Sequence, residues 1–341
     1  ISSDIRQIAL MIILMRAGLN LKISDLKKVG PSALLMCFIP ASFEILGLMI
    51  LAPIFLHLDL LNAAILGTVL AAVSPAVVVP LMLKLMDEGY GTKEGIPQLI
   101  MAGASMDDVY VIVLFTSLLT LAKSGEFNAL SLLRIPTSIL FGIVSGIVLG
   151  YVLCKLYRLL KLSTEIELAC MFAVGMALIT IERMMTGAVG FSGLLAIMAM
   201  TSSVRHIKPE MADKYSTVLA KLWQPAEIFL FALVGASVRI DYAVSFGPVV
   251  LIVIILALLF RMLGVYLSVM KTKFNMKEKI FTMIAYIPKA TVQAAIGGLA
   301  LEAGLASGEL ILTAAVTAIL FTAPLGAIFI SFTYRNFLQK A

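Results

Sequence analysis

The sequence predicts an all-α polytopic membrane protein, and three observations point to this class. Hydrophobic residues make up 61% of the 341 positions and charged residues only 13%, whereas soluble globular chains have about 45–50% apolar and about 25% charged residues. Long apolar segments recur along the whole chain, and lysine and arginine lie in short runs between them. Such a chain cannot coat a water-soluble globule with polar surface, so lipid is expected to be its outer solvent.

Eleven segments are predicted to be transmembrane helices, because a spanning helix needs about 20 mostly apolar residues. They are 5–20, 30–56, 60–85, 96–122, 131–160, 165–184, 188–203, 222–238, 244–270, 277–302 and 308–333. The stretch 205–223 is polar on one side and apolar on the other. It predicts a separate amphipathic helix at the cytoplasmic interface.

The basic residues predict the topology of the chain. Alternating helices place 18 lysines and arginines on one side of the membrane and five on the other. Because cytoplasmic loops carry the excess of basic residues, the C-terminus is expected inside, in a bacterial inner membrane. The same distribution argues against nucleic-acid binding as the reason for the net charge of +6. The cysteines (Cys37, Cys154 and Cys170) lack metal-site or disulfide spacing.

Five charged residues lie near the middle of predicted spans: Glu44, Asp107, Asp108, Arg261 and Lys289. A charge at the bilayer centre costs about 2.5–3.5 kcal/mol on insertion scales. A structural ion pair that holds helices together would explain any one of them. Five charges at one depth instead predict a polar centre on an ion pathway.

Asp107 and Asp108 are adjacent on one helix, so their side chains point about 100° apart. One is expected to face water and the travelling ion, and the other a basic partner within the protein. A partly desolvated carboxylate beside a second acid can hold either a proton or a small cation near neutral pH. That competition suffices for cation/proton exchange. The residues alone leave open which Asp has which role, and whether Arg261 or Lys289 is the partner.

Two of the predicted spans are expected to be broken at a proline near their middle. The third contains AAVSPAVVVP with Pro75, and the tenth contains AYIPKATVQAAIGG with Pro288. Proline removes a backbone donor, and a broken helix is tolerated in a membrane where its backbone lines a cavity within the protein. A simple kink would explain either segment alone. However, helices two to four and nine to eleven run in opposite directions, which is typical of inverted-repeat transporters. Five helices per repeat would imply a missing N-terminal segment.

Four segments carry a resemblance to a known family: SPAVVVP (74–80), GYGTKEGIP (89–97), GASMDDV (103–109) and PKATVQAAIGG (288–298). Over nearly its whole length the chain resembles the monovalent cation:proton antiporters, the sodium/hydrogen exchanger clan, and most of all its NHA branch. The resemblance implies a single transmembrane domain over 1–341 that works as a homodimer. It implies an elevator-like core of helices in 30–122 and 244–333, with dimerisation and linker helices in 5–20 and 131–238.

The resemblance also implies roles for individual residues. Asp108 would bind the proton or the Na⁺ or Li⁺ ion transiently, assisted by Asp107 and Ser74. The charge network and the breaks would be formed by Glu44, Arg261, Lys289, Pro75 and Pro288. Many family members carry an acid where this chain has Ser74, and many electroneutral members have Asn-Asp where it has Asp107-Asp108. The stoichiometry therefore stays open.

Three other functions are weighed against sodium/proton exchange. A potassium/proton exchanger would use the same residues, and a sodium-coupled organic-anion symporter would need the added anion for sodium flux. An intramembrane aspartyl protease would need two acids facing each other, normally from two helices, and GASMDDV lacks a Gly-x-Gly-Asp element. We expect no enzyme and no cofactor. The expected partners are small cations, protons and lipid, without nucleic acid.

Overall fold

The computed structural model describes residues 2–20, 31–124, 129–160, 162–185 and 190–340. Over these residues the chain forms fourteen helices and no β-strand. The helices are α1 Ser2–Asn20, α2 Pro31–Met36, α3 Ile39–Leu56, α4 Leu60–Leu70, α5 Pro75–Asp87, α6 Ile96–Ser124, α7 Ala129–Leu160, α8 Thr164–Met184, α9 Gly193–Ile207, α10 Pro209–Ser237, α11 Ile240–Val269, α12 Met276–Ala285, α13 Thr291–Glu302 and α14 Gly308–Phe337. Four lysines predicted on the cytoplasmic side (Lys22, Lys27, Lys28 and Lys161) lie outside the described residues.

Eight stretches of the described residues are long and apolar enough to cross a membrane. They are Pro31–Leu56, Leu60–Asp87, Ile96–Lys123, Thr137–Leu160, Thr164–Glu182, Pro209–Ser237, Ser245–Val269 and Gly308–Phe337. Three predicted spans, 5–20, 188–203 and 277–302, are not among them. The predicted span 188–203 overlaps α9, which has only 15 residues. The predicted span 277–302 is divided between α12 and α13. The predicted all-α polytopic class is confirmed.

The prediction of a separate amphipathic helix at 205–223 is wrong. The preceding helix α9 continues to Ile207, and α10 then runs without interruption through the predicted amphipathic stretch and the predicted span 222–238. Proline is well suited to the first position of a helix, and Pro209 starts α10. Strong helix formers such as Met, Ala, Lys and Leu fill the polar stretch that follows, so no residue stops the helix before the apolar part.

The packing divides the chain into two compact units. The first comprises Ile1–Lys22 and Thr116–Leu233, and the second comprises Ile23–Phe115 and Val234–Ala341. The helices α6 and α10 each contribute to both units. The assignment of a moving core to 30–122 and 244–333, and of dimerisation to the remainder, stays a prediction.

In the first unit, α7 packs closely on α9 through glycines spaced four residues apart. A side chain at Gly146 would collide with the α9 backbone at Ala196, and one at Gly150 would collide with the backbone at Met200. Small residues at this spacing let two membrane helices approach, because lipid supplies no hydrophobic force between them. The glycines thus allow the close contact between α7 and α9.

In the second unit, two helices are interrupted where the prolines predicted. Residues 71–74 separate α4 from α5, and residues 286–290 separate α12 from α13. Pro75 is the first residue of α5. The two breaks meet where the Ser74 backbone N–H donates to the Pro288 carbonyl at 2.8 Å. The predicted pair of crossed discontinuous helices is confirmed.

Candidate ion-binding site

The first break leaves backbone carbonyls at the end of α4 without N–H partners from their own helix. Side-chain donors from the second half of the chain bind these carbonyls. Lys289 donates to Leu70, Arg261 to Ala71, and Gln293 to Ala72 at 2.7 Å. The C-terminal end of a helix carries partial negative charge, so it stabilises the two cations.

Four charged side chains form one network at this crossing, which we call the charge quartet: Glu44, Asp107, Arg261 and Lys289. Each is at most 1% exposed. Arg261 Nη1 lies 2.9 Å from Glu44 Oε2, and Arg261 Nη2 lies 2.6 Å from Asp107 Oδ2. Lys289 Nζ lies 2.7 Å from Glu44 Oε1. The order of contacts is therefore Asp107, Arg261, Glu44, Lys289.

Arg261 is the centre of the quartet because its planar guanidinium can serve several acceptors at once. Besides the two carboxylates, it binds the C-terminal ends of both interrupted helices. Its Nη1 donates to the Ala71 carbonyl at the end of α4. Its Nε donates to the Tyr286 carbonyl at 2.9 Å, just after α12. The guanidinium also lies 5.3 Å from the centre of the Tyr286 ring, within the range of a cation–π contact.

The quartet contains two acids and two bases, so its formal charge is zero. Buried ions are costly to desolvate, and their mutual attraction offsets that cost only when their geometry and hydrogen bonds are good. Here each base contacts a carboxylate and at least one backbone carbonyl. The quartet therefore needs no additional counterion.

Asp107 uses one carboxylate oxygen within this network. Its Oδ2 accepts from Arg261 and, at 2.9 Å, from the Val73 backbone N–H in the first break. Its Oδ1 is buried without a hydrogen-bond partner among the described residues. Asp107 is thus held against the break and still presents one free oxygen.

Asp108 differs from Asp107 although the two are adjacent on α6. Its side chain is 9% exposed. In the described part of the chain it makes no hydrogen bond or ion pair, and its Oδ1 is buried without a partner. This third carboxyl group, the fifth of the charged side chains at the crossing, therefore carries a charge that the quartet does not balance.

Ser74, the third predicted ligand, lies in the first break directly after Val73. Its backbone N–H is bound to Pro288, while its Oγ is buried without a partner among the described residues. Carboxylate and hydroxyl oxygens are the ligands that hard cations prefer. Across the described ranges, no group of three or more His, Cys, Asp or Glu side chains is placed to hold a metal ion. Carboxylates alone would therefore not complete the coordination of a cation here.

The sequence prediction named all four quartet members but left the partner of Asp107 open. The structure places Arg261 against Asp107 and Lys289 against Glu44. It also adds Gln293, which is fully buried. Its Oε1 accepts from the Ala290 N–H at 2.9 Å while its amide binds the first break. Its position as a lone amide in an apolar segment beside Pro288 could have predicted this contact.

A family model described as sodium/hydrogen exchanger, transmembrane, matches residues 1–335. The chain belongs to this family. Sodium/hydrogen exchanger 9B2 of Homo sapiens is 35% identical over 99% of the chain, and sodium/hydrogen exchanger 9B1 of Homo sapiens is 35% identical over 96% of it. The chain spans 65% of the length of each of these relatives.

The fold of this family member is also found in a solved structure. The structure of the sodium proton antiporter MjNhaP1 from Methanocaldococcus jannaschii superposes on this chain with a TM-score of 0.84, at 19% sequence identity. The match covers 99% of this chain and 88% of the antiporter chain. Family membership, predicted from four motifs, is confirmed, as is a multi-pass membrane location. These relatives are human and archaeal, so they do not support the expected bacterial inner membrane.

Proposed function

We propose that this family member exchanges sodium or lithium for protons, with Asp108 as the carboxylate that binds each of them in turn. The observation that carries the proposal is the difference between Asp108 and the charge quartet. The quartet is neutral within itself, while Asp108 has no counter-cation among the described residues. The names of its relatives, sodium/hydrogen exchanger and sodium proton antiporter, support sodium and protons as the substrates.

The electrostatics explain how one carboxylate couples two substrates. An empty, charged Asp108 would leave one uncompensated charge inside the membrane, at a cost of about 2.5–3.5 kcal/mol. A single proton or a single monovalent cation removes that charge. Both at once would leave the site positive, so binding is mutually exclusive. We accordingly propose an exchange of one cation for one proton. The unpartnered oxygens of Ser74 and Asp107 would contact the cation.

The remaining parts of the proposal rest on the family resemblance and on the charge pattern. The chain would act as a homodimer, and the helices of 30–122 and 244–333 would move as an elevator-like core. The excess of lysine and arginine on one side of the membrane supports a cytoplasmic C-terminus.

The decisive experiment measures sodium-driven proton movement in proteoliposomes that carry a pH-sensitive dye. Asp108→Asn should abolish exchange because an amide cannot bind a proton or neutralise a cation. Asp107→Asn should retain part of it. The matched control is Asp87→Asn, an exposed acid at the end of α5, which should behave as wild type. Normal exchange by Asp108→Asn would refute the assigned role. Replacing sodium by potassium, or adding organic anions, distinguishes the alternative transport functions.

A stability measurement separates binding from transport. A cation that binds only the folded protein stabilises it by about 2.7 kcal/mol at 100 times its Kd. Sodium should raise the melting temperature of wild type but not of Asp108→Asn. Without sodium, Asp108→Asn should be at least as stable as wild type, since it removes an unpaired charge. Asp107→Asn should be less stable, because Arg261 loses a partner. Equal sodium effects on wild type and Asp108→Asn would contradict the proposal.

A further inference from the structure

The connection between α11 and α12 forms a basic surface at one end of the second unit. Four lysines fall within nine residues: Lys271, Lys273, Lys277 and Lys279. Lys279 is engaged, because its Nζ donates to the Met270 carbonyl at 3.1 Å and lies 6.0 Å from the Tyr266 ring. The other three are exposed, and no ion pair involves them among the described residues. We call these three the lysine cluster.

The single acid within this connection does not neutralise the cluster. Glu278 is 2% exposed and turned into the protein. Its Oε2 accepts from the Asn275 backbone N–H at 2.8 Å, and Asn275 Oδ1 accepts from the Glu278 N–H at 3.0 Å. This reciprocal capping box starts α12 and occupies one of the two carboxylate oxygens of Glu278, while the other is also buried. The exposed surface therefore carries positive charge without a compensating acid.

The connection is also held in one conformation. Phe274 lies between the lysines and is buried in a hydrophobic cluster that includes Phe281 and Ile330. The Thr272 hydroxyl donates to the Val269 carbonyl at 2.6 Å. Because Phe274 and the capping box fix the backbone, the lysine cluster is presented on an ordered platform and loses little entropy when it binds a ligand.

Apolar side chains next to the lysines indicate what kind of ligand fits. Met270 is 47% exposed and Met276 is 60% exposed, and α11 continues below them with Leu267 and Leu263 also exposed. A free phosphate would use only the charges, whereas a phospholipid presents a phosphate to the lysines and acyl chains to this apolar face. Clusters of basic residues directly beyond a membrane span attract anionic lipid headgroups.

We propose that the lysine cluster (Lys271, Lys273 and Lys277) together with Met270 and Met276 is a binding site for an anionic phospholipid. The connection joins the helix that carries Arg261 to the half-helix that leads to Lys289. A lipid bound there would contact the end of α11 and the start of α12, which meet at this connection. The proposal does not depend on the transported ion, so it can fail while the proposed transport stands.

The test uses the full chain in detergent, with native mass spectrometry to count bound phosphatidylglycerol, phosphatidylcholine or glycerol 3-phosphate. Each lysine near an anionic surface contributes about fivefold to binding. Wild type should prefer phosphatidylglycerol, and Lys271→Gln/Lys273→Gln/Lys277→Gln should weaken that binding by on the order of 100-fold. The control Lys155→Gln/Lys214→Gln/Lys221→Gln removes equal charge from exposed positions of the first unit and should bind like wild type.

Three results would overturn the proposal. The cluster variant could bind phosphatidylglycerol as tightly as wild type, which would place the lipid elsewhere. The control variant could lose as much binding as the cluster variant, which would show attraction to net charge alone. Glycerol 3-phosphate could bind as well as the intact lipid, which would identify a small-anion site. Circular dichroism and melting of both variants should match wild type, since none of the six lysines is buried.

Discussion

The charge quartet makes a quantitative prediction about paired substitutions of Glu44 and Lys289. Their contacting atoms lie 2.7 Å apart, and the side chains are 1% and 0% exposed. Removing one partner of a buried ion pair costs about 3–5 kcal/mol, because the other charge stays buried. Glu44→Gln and Lys289→Gln should each lower the free energy of unfolding by about that amount. Each variant leaves the quartet with one unbalanced charge.

The double variant Glu44→Gln/Lys289→Gln restores neutrality, because Arg261 still faces Asp107. Its cost should therefore be smaller than the sum of the single costs by at least about 2 kcal/mol. Unfolding in detergent over a denaturant series, monitored by circular dichroism, gives the free energy of unfolding of the wild type, the two single variants and the double variant. Costs that add within about 0.5 kcal/mol would refute the quartet as one electrostatic unit.

An exposed ion pair in the same unit provides the control for that cycle. Arg239 lies 3.5 Å from Asp241, and their side chains are 61% and 85% exposed. Exposed pairs contribute about 0–1 kcal/mol, since water screens them. The cycle of Arg239→Gln and Asp241→Asn should therefore show little coupling.

Three further substitutions test individual contacts through the same unfolding measurement. Arg261→Gln should cost at least as much as Lys289→Gln, about 3–5 kcal/mol or more, because it leaves Asp107 unpaired. Gly103→Ala should cost about 1–3 kcal/mol, since a Cβ there collides with the Tyr286 hydroxyl; adding Tyr286→Phe should recover part of the loss. Gln293→Leu should cost about 1–3 kcal/mol by leaving two buried backbone groups of the breaks unpaired.

Each of these expectations has its own contradicting result. A mild Arg261→Gln variant would mean that the guanidinium is not the centre of the network. Tyr286→Phe alone should be nearly neutral, because the hydroxyl has no hydrogen-bond partner among the described residues. Failure of Tyr286→Phe to improve Gly103→Ala would assign the collision to other atoms. A Gln293→Leu variant as stable as wild type would mean that the two side-chain hydrogen bonds of Gln293 do not stabilise the breaks.

Much of this protein follows from local sequence. The membrane class depends on composition, which a soluble fold could not accommodate. The helix breaks depend on Pro75 and Pro288, which act within a few residues of themselves. The five midplane charges stand out because each is costly in lipid on its own. The family motifs lie in the same segments, so the fold and the charged members of the candidate site could be predicted together, whereas Gln293 was missed.

Tertiary structure decided how those residues are connected. Adjacency on a helix showed that Asp107 and Asp108 must differ, but only the folded chain places Arg261 and Val73 against Asp107 and leaves Asp108 without a counter-cation. The contacts of the charge quartet join residues up to 245 positions apart, as in the pair of Glu44 and Lys289, and periodicity carries no information at that range. The helix α10 was mispredicted for the opposite reason, since polarity indicated a boundary that the backbone does not make. Charge and proline can be read locally, whereas the balance of charges is a property of the packed site.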